Sequence, residues 1–188
     1  VGLSVDGAGD VDGDGQRDIL IGAPNYSADG STTGISYLVY GSSVNGVSDF
    51  GLANADHTFR GDASGDYAGG AVSSAGDVDN DGKTDLLVGA YLADDAFLNG
   101  GSSHLFLGSS LSESGTHTLS DSDYLFTGEG ADHYAGYALS TAGDVDANGF
   151  DDILIGAINA DGDDTDTGRT YVVYGETLGA TREIPLAE

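Results

Sequence analysis

Asp10-Val-Asp-Gly-Asp-Gly-Gln-Arg-Asp18 is the first of three copies of one nine-residue pattern, Asp-x-Asp-x-Asp/Asn-Gly-x-x-Asp. The second copy places Asp77, Asp79, Asp81, Gly82 and Asp85 in the same positions, and the third places Asp144, Asp146, Asn148, Gly149 and Asp152. The interval is 67 residues both times, with no residue gained or lost. Hard divalent cations take six to eight oxygens from carboxylates, amides, backbone carbonyls and water. Side chains at positions 1, 3, 5 and 9 converge on one point if the backbone curls sharply, and position 7 then adds its carbonyl. Position 7 is Gln16, Lys83 or Phe150, three unrelated side chains, as expected if only the carbonyl matters. Glycine at position 6 permits the positive φ of such a curl. The pattern predicts three Ca²⁺ sites, with Asp10, Asp12, Asp14, Gln16 and Asp18 in the first, Asp77, Asp79, Asp81, Lys83 and Asp85 in the second, and Asp144, Asp146, Asn148, Phe150 and Asp152 in the third.

The flanks separate this loop from an EF-hand, which needs a bidentate Glu at position 12 and a helix after it. Position 12 is Ile21, Val88 or Ile155, inside the apolar runs Asp18-Ile-Leu-Ile-Gly-Ala23, Asp85-Leu-Leu-Val-Gly-Ala90 and Asp152-Ile-Leu-Ile-Gly-Ala157. Such runs are too short for helices and are bounded by glycine, so the loop joins strand to strand.

Composition agrees with a folded all-β chain: 39% of 188 residues are hydrophobic, and 32 glycines with only two prolines supply frequent turns. Thirty-two acidic against five basic residues give a net charge of -27, which sets the chain against nucleic-acid backbones and anionic membranes. Eleven Asp and one Asn at the proposed ligand positions account for part of that charge. Zero cysteines exclude disulfides, thiolate catalysis and cysteine-based zinc sites. No apolar stretch approaches the ~20 residues of a membrane span, so no direct membrane insertion is expected, and Val1-Gly-Leu-Ser4 is not a signal peptide. Calcium loops of this class suit extracellular calcium better than resting cytosol, which points to export.

The 67-residue offset also aligns Val1-Gly2 with Ala68-Gly69 and Ala135-Gly136, and Gly34–Gly41 with Gly101–Gly108 and Gly168–Gly175. Each unit reads as four strands. The first precedes the loop (Leu3–Val5, Ala71–Ser73, Ala138–Ser140) and the second follows it (Asp18–Ala23 and its equivalents). The third is Ile35–Tyr40, His104–Leu107 or Thr170–Tyr174, and the fourth His57–Arg60 or Tyr124–Thr127. Four antiparallel strands make one β-propeller blade. The expected units are 1–67, 68–134 and 135–188, together one propeller segment, with the last blade lacking its fourth strand.

With strand, metal loop and Gly-Ala turn in place, each unit resembles the FG-GAP repeat of the integrin α-subunit β-propeller and of related bacterial surface proteins. The family pattern has Phe-Gly before the first strand, where this chain has Val1-Gly2, Ala68-Gly69 and Ala135-Gly136. It has Gly-Ala-Pro after the second, where this chain has Gly22-Ala23-Pro24, Gly89-Ala90-Tyr91 and Gly156-Ala157-Ile158. The resemblance implies structural calcium that braces adjacent strands, with partner recognition on other loops.

Nothing in the sequence forms a catalytic constellation. His57, His104, His117 and His133 show no metal-ligand spacing, His104 stands where other units have Tyr37 and Tyr171, and no Gly-x-Ser-x-Gly elbow exists. The tyrosines that recur at fixed repeat positions read as inter-blade core. The segments Ser42–Asp56 and Ser109–Asp123 differ between copies and are the expected contact loops. These readings converge on a non-enzymatic extracellular or cell-surface scaffold and interaction module. Its expected partners are a protein or carbohydrate ligand on a cell surface, or further copies of itself in a filament or surface layer. An accessory propeller of a larger secreted enzyme is the remaining alternative.

Overall fold

The computed structural model describes residues 2–28, 30–112, 114–161 and 167–187; Val1, half of the first aligned pair, and Glu188 lie outside them. The first unit runs β1 (Ser4–Gly9), β2 (Asp18–Ala23), the short ribbon β3 (Ser27–Ala28) and β4 (Ser31–Thr32), β5 (Ile35–Val39) and β6 (His57–Arg60). The second runs β7 (Val72–Gly76), β8 (Asp85–Ala90), β9 (Ser102–Phe106), β10 (Gly115–Thr118) and β11 (Tyr124–Thr127). The third has β12 (Ala135–Gly143), β13 (Asp152–Ala157), β14 (Arg169–Val173) and β15 (Glu183–Pro185). Antiparallel pairing joins β1-β2-β5-β6, β7-β8-β9-β11 and β12-β13-β14, the blades of a β-propeller, with the third stopping at three strands.

Second and fourth strands lie where the apolar pattern put them. The first strands run further than expected, to Gly9, Gly76 and Gly143, because register shifts at Gly7/Gly9, Ser74/Gly76 and Thr141/Gly143 carry the pairing to the mouth of each loop. Third strands end one residue early. In the first two units the next N–H is diverted: Tyr40 donates to Asp56 Oδ2 at 2.7 Å and Leu107 to Asp123 Oδ2 at 2.8 Å.

One expectation is corrected. Ser109–Asp123 is not a free contact loop, since β10 within it pairs in parallel with β6 of the preceding unit, Gly115 opposite His57 through to Thr118 opposite Arg60. At the equivalent place one repeat later, β15 pairs in parallel with β11. Each complete blade therefore gains a fifth strand from its successor. The strap is pinned by side chains: His117 Nε2 lies 3.0 Å from His57 Nδ1, and Ser120 Oγ donates to Asp62 Oδ1 at 3.0 Å.

The blades pack side by side through their faces, with β1 against β7 and β7 against β12. Successive side chains of a strand face opposite ways, so the middle blade feeds two cores. Leu86, Val88 and Phe106 join Ala8, Val11, Leu20, Leu38 and Phe59 of the first unit. Leu87, Leu105 and Phe126 join Ile153, Ile155 and Tyr171 of the third. Every residue of β8 and β9 is buried, whereas β1 alternates, with Val5 in it and Leu3 just before it about two-thirds exposed.

Close stacking requires glycine at defined points. A Cβ on Gly22 would sit 2.1 Å from Gly69 O, and one on Gly89 2.3 Å from Gly136 O, both across a unit boundary. Gly156, their equivalent, faces no following unit, and its nearest neighbour would be Ala138 Cβ at 3.3 Å. Gly89→Ala should lower the unfolding free energy by about 1–3 kcal/mol through overpacking, and Gly156→Ala by less than about 1 kcal/mol. Urea denaturation midpoints of the two variants check this.

Candidate metal centres

In all three loops the carboxylates of positions 1, 3 and 9 converge. Asp10, Asp12 and Asp18 bring one oxygen each within 4.8 Å of one another, and so do Asp77, Asp79 and Asp85, and Asp144, Asp146 and Asp152. Asp14 and Asp81 stand outside their triads. In each copy position 5 uses Oδ1 to accept the N–H of position 7: Gln16 at 2.7 Å, Lys83 at 2.9 Å and Phe150 at 2.8 Å. Gln16 turns its amide nitrogen back to Asp14 Oδ2 at 2.9 Å.

The curl is held by the backbone folding around its own carboxylates. Asp10 accepts N–H bonds from Gly13 and Gly15, Asp77 from Asp81 and Gly82, and Asp144 from Asn148 and Gly149, all at 2.9 Å. Position 6 takes positive φ as expected, 87° at Gly15, 92° at Gly82 and 99° at Gly149. Position 4 does so as well, at Gly13 (80°), Asn80 (56°) and Ala147 (61°). Sequence reasoning missed that second left-handed residue, although Gly and Asn there were its signal.

Position 9 is the buried anchor. Asp18 Oδ2 accepts from Val11 N at 2.8 Å and its Oδ1 from Gly41 N at 2.9 Å. Asp85 holds Val78 and Gly108, both at 2.8 Å, and Asp152 holds Val145 at 2.9 Å and Gly175 at 3.0 Å. Each thus ties its loop to the glycine two residues beyond the third strand of the same blade. Only glycine fits there, since a Cβ on Gly41, Gly108 or Gly175 would lie 2.5, 2.7 or 2.5 Å from the carbonyl oxygen of Arg17, Thr84 or Asp151.

Burial pushes the Asp18 and Asp79 carboxyls above their ordinary range, with neighbouring carboxylates adding to it. Asp85, the most enclosed of these, is pushed up to about 7 by desolvation against its two backbone hydrogen bonds. Oxygen-only donors, three converging carboxylates and desolvated negative charge fit a hard divalent cation.

His57, His117 and His104 hold structural posts. His57 is fully buried between Tyr40 Oη at 2.7 Å and His117, and burial with His117 nearby lowers it to about 4. His104 is buried and lies within hydrogen-bond distance of Ser102 Oγ (3.1 Å) and Ser122 Oγ (3.2 Å). Tyr67, Tyr91 and Tyr137 form a row of ring contacts at 5.9 and 5.3 Å that runs from the end of the first unit through the second to the third.

The FG-GAP repeat profile matches residues 1–39 and 68–106, two segments that each run through a loop to the end of a third strand. The chain is 30% identical over 157 residues to integrin alpha-PS3 of Drosophila melanogaster, covering 82% of this chain and 13% of that protein. It is 32% identical over 157 residues to integrin alpha-PS5 (82% and 14%) and 32% over 155 residues to integrin alpha-PS2 (81% and 11%), both of the same organism. The chain spans about an eighth of the length of these curated relatives.

Without a cation the Asp85 carboxyl should titrate near pH 7 in carbon-detected NMR, and saturating calcium should drive that titration down by displacing the proton. An unfolded Asp titrates near 3.9, so the raised folded value makes protonated Asp85 stabilising, a contribution lost as pH rises through about 7. His57 acts in the opposite sense, its contribution being present above about 6.5 and lost as pH falls toward 4.

Proposed function

The chain belongs to the FG-GAP repeat family, of the kind found in integrin α subunits, and from that premise we propose that it is a calcium-binding, non-enzymatic segment of a cell-surface or extracellular β-propeller. It serves as a scaffold and as a docking module for a protein ligand. Units 1–67, 68–134 and 135–188 are its blades. The observation that carries this reading is the phased set of three loops in which the carboxylates of positions 1, 3 and 9 meet beside buried strand ends.

Calcium would supply positive charge at the convergence of those carboxylates. Asp10, Asp12 and Asp18 hold it in the first loop, with Asp14 and the Gln16 carbonyl completing the oxygen set. Asp77, Asp79, Asp85, Asp81 and Lys83 do so in the second, and Asp144, Asp146, Asp152, Asn148 and Phe150 in the third. The chain's own contribution is the preformed curl, which spares a cation the work of ordering the backbone. A non-enzymatic role is supported by the histidines described above, whose ring nitrogens face structural partners at the first and second blades. No helix among the described residues is long and apolar enough to cross a membrane.

A second reading, self-association with further copies of the chain, is favoured by the exposed face of the third unit. On the third unit Tyr137, Val172 and Tyr174 are 49%, 45% and 41% exposed, and a Cβ on Gly143 would meet nothing within 4 Å. Light scattering over a range of concentrations tests it, and a concentration-independent monomer counts against it.

Three sites at tenfold saturation add about 1.4 kcal/mol each by linkage, and a domain of this size gains roughly 2–4 °C per kcal/mol. Excess chelator should therefore lower Tm by about 10 °C relative to millimolar calcium. An unchanged Tm in differential scanning calorimetry overturns the calcium reading.

A further inference from the structure

We propose that Thr84 and Asp151, the eighth residues of the second and third loops, are positioning residues for the cation loop of the unit before them, so that the three sites are energetically coupled in series. This rests on the calcium reading above and adds to it which residues carry one site's occupancy to the next.

At each internal boundary the eighth residue of one loop clasps the first residue of the preceding loop with two hydrogen bonds. Thr84 N donates to Asp10 O at 2.9 Å, and Asp10 N donates to Thr84 Oγ1 at 3.1 Å. Asp151 N donates to Asp77 O at 3.0 Å, and Asp77 N donates to Asp151 Oδ2 at 2.9 Å. Asp10 and Asp77 are the very residues whose carboxylates gather the N–H groups of the curl and enter the converging triads.

The clasp is built with little slack. A Cβ on Gly9 would lie 2.3 Å from Thr84 Oγ1, and one on Gly76 would lie 2.2 Å from Asp151 Oδ2, so each eighth side chain occupies the space that glycine leaves. Other contacts bridge the same boundaries. The Lys83 chain passes 3.6 Å from where a Gly13 side chain would start, and Asn80 Nδ2 passes 3.9 Å from the corresponding point on Gly149.

Position 8 points away from its own triad, so its side chain is free to serve its neighbour. What it needs is an acceptor atom for the N–H of position 1, which Thr and Asp both have and Arg17, in the first unit, does not. A cation drawing Asp77, Asp79 and Asp85 together stiffens the already curled backbone that carries Thr84, and through Thr84 it restrains Asp10. Coupling free energies are reciprocal, so the first site returns the same factor to the second. The first and third sites share no clasp and communicate only through the middle one.

The test is calcium titration by calorimetry on the whole chain, with loop occupancy followed by the amide shifts of Gly15, Gly82 and Gly149. Asp79→Asn, which keeps an oxygen for the Asp81 N–H, disables the middle site and should weaken both outer sites by about fivefold, the size expected for one hydrogen bond. Asp12→Asn and Asp146→Asn each disable their own site and should weaken the middle site directly, the far site changing only through the middle one. Thr84→Val, which keeps the shape and removes the acceptor, should abolish the effect of Asp12→Asn on the middle site. Asp151→Asn, whose amide oxygen still accepts, should preserve the coupling that Asp151→Ala removes. Three ions that bind with affinities indifferent to these substitutions overturn the coupling alone. A chain that takes up no calcium overturns the cation reading and the coupling with it.

Discussion

A buried carboxylate at the end of each loop is the constraint on which the blades depend. Asp18, Asp85 and Asp152 are almost wholly removed from water, yet each sits where a strand begins and spends one oxygen on its loop and the other on the glycine just beyond the third strand. Leaving any one of those N–H groups unpaired in the interior would cost about 1–3 kcal/mol. The Asp-to-Gly bond therefore fixes loop, second strand and third strand as one piece. Replacing the glycine by any residue with a Cβ would drive it into the carbonyl at position 8.

Repetition then does at the level of blades what the carboxylate does within one. The second and third units share Asp-x-Leu-x-Gly-Ala strands, but β8 is buried along its whole length while β13 is buried only in part. The difference lies in the neighbours and not in the residues, which is the nearest-neighbour behaviour of repeat architectures. The straps β10 and β15 extend it. Each pairs with the fourth strand of the blade before, so the outer edge of one unit is completed by backbone from the next, and an open strand edge is covered.

What was legible in the sequence was local. The loops, the strands after them and the fourth strands at His57–Arg60 and Tyr124–Thr127 were legible because apolar residues, glycines and carboxylates recur at short fixed distances. The straps were not. Gly-Thr-His-Thr at 115–118 is polar and reads as loop, and its parallel partner lies 58 residues earlier, with nothing local to announce it. The clasps at Thr84 and Asp151 were hidden for a related reason. Position 8 holds Arg, Thr and Asp in the three copies, a variety that reads as indifference until the structure shows that the side chain acts on the preceding unit.

The loops also separate geometry from charge. Their curl is already closed by carboxylates accepting backbone N–H bonds at positions 1, 3 and 5, so shape does not wait for an ion. Those hydrogen bonds leave the negative charge in place, and it is gathered rather than dispersed, with Asp85 held near neutrality by burial while Asp77 and Asp79 stand beside it. On a chain of net charge -27, a bound cation relieves that local repulsion without the proton that Asp85 otherwise takes up. A divalent ion in such a loop would act on the energy of a fold already drawn, and the clasp at position 8 would pass that energy from blade to blade.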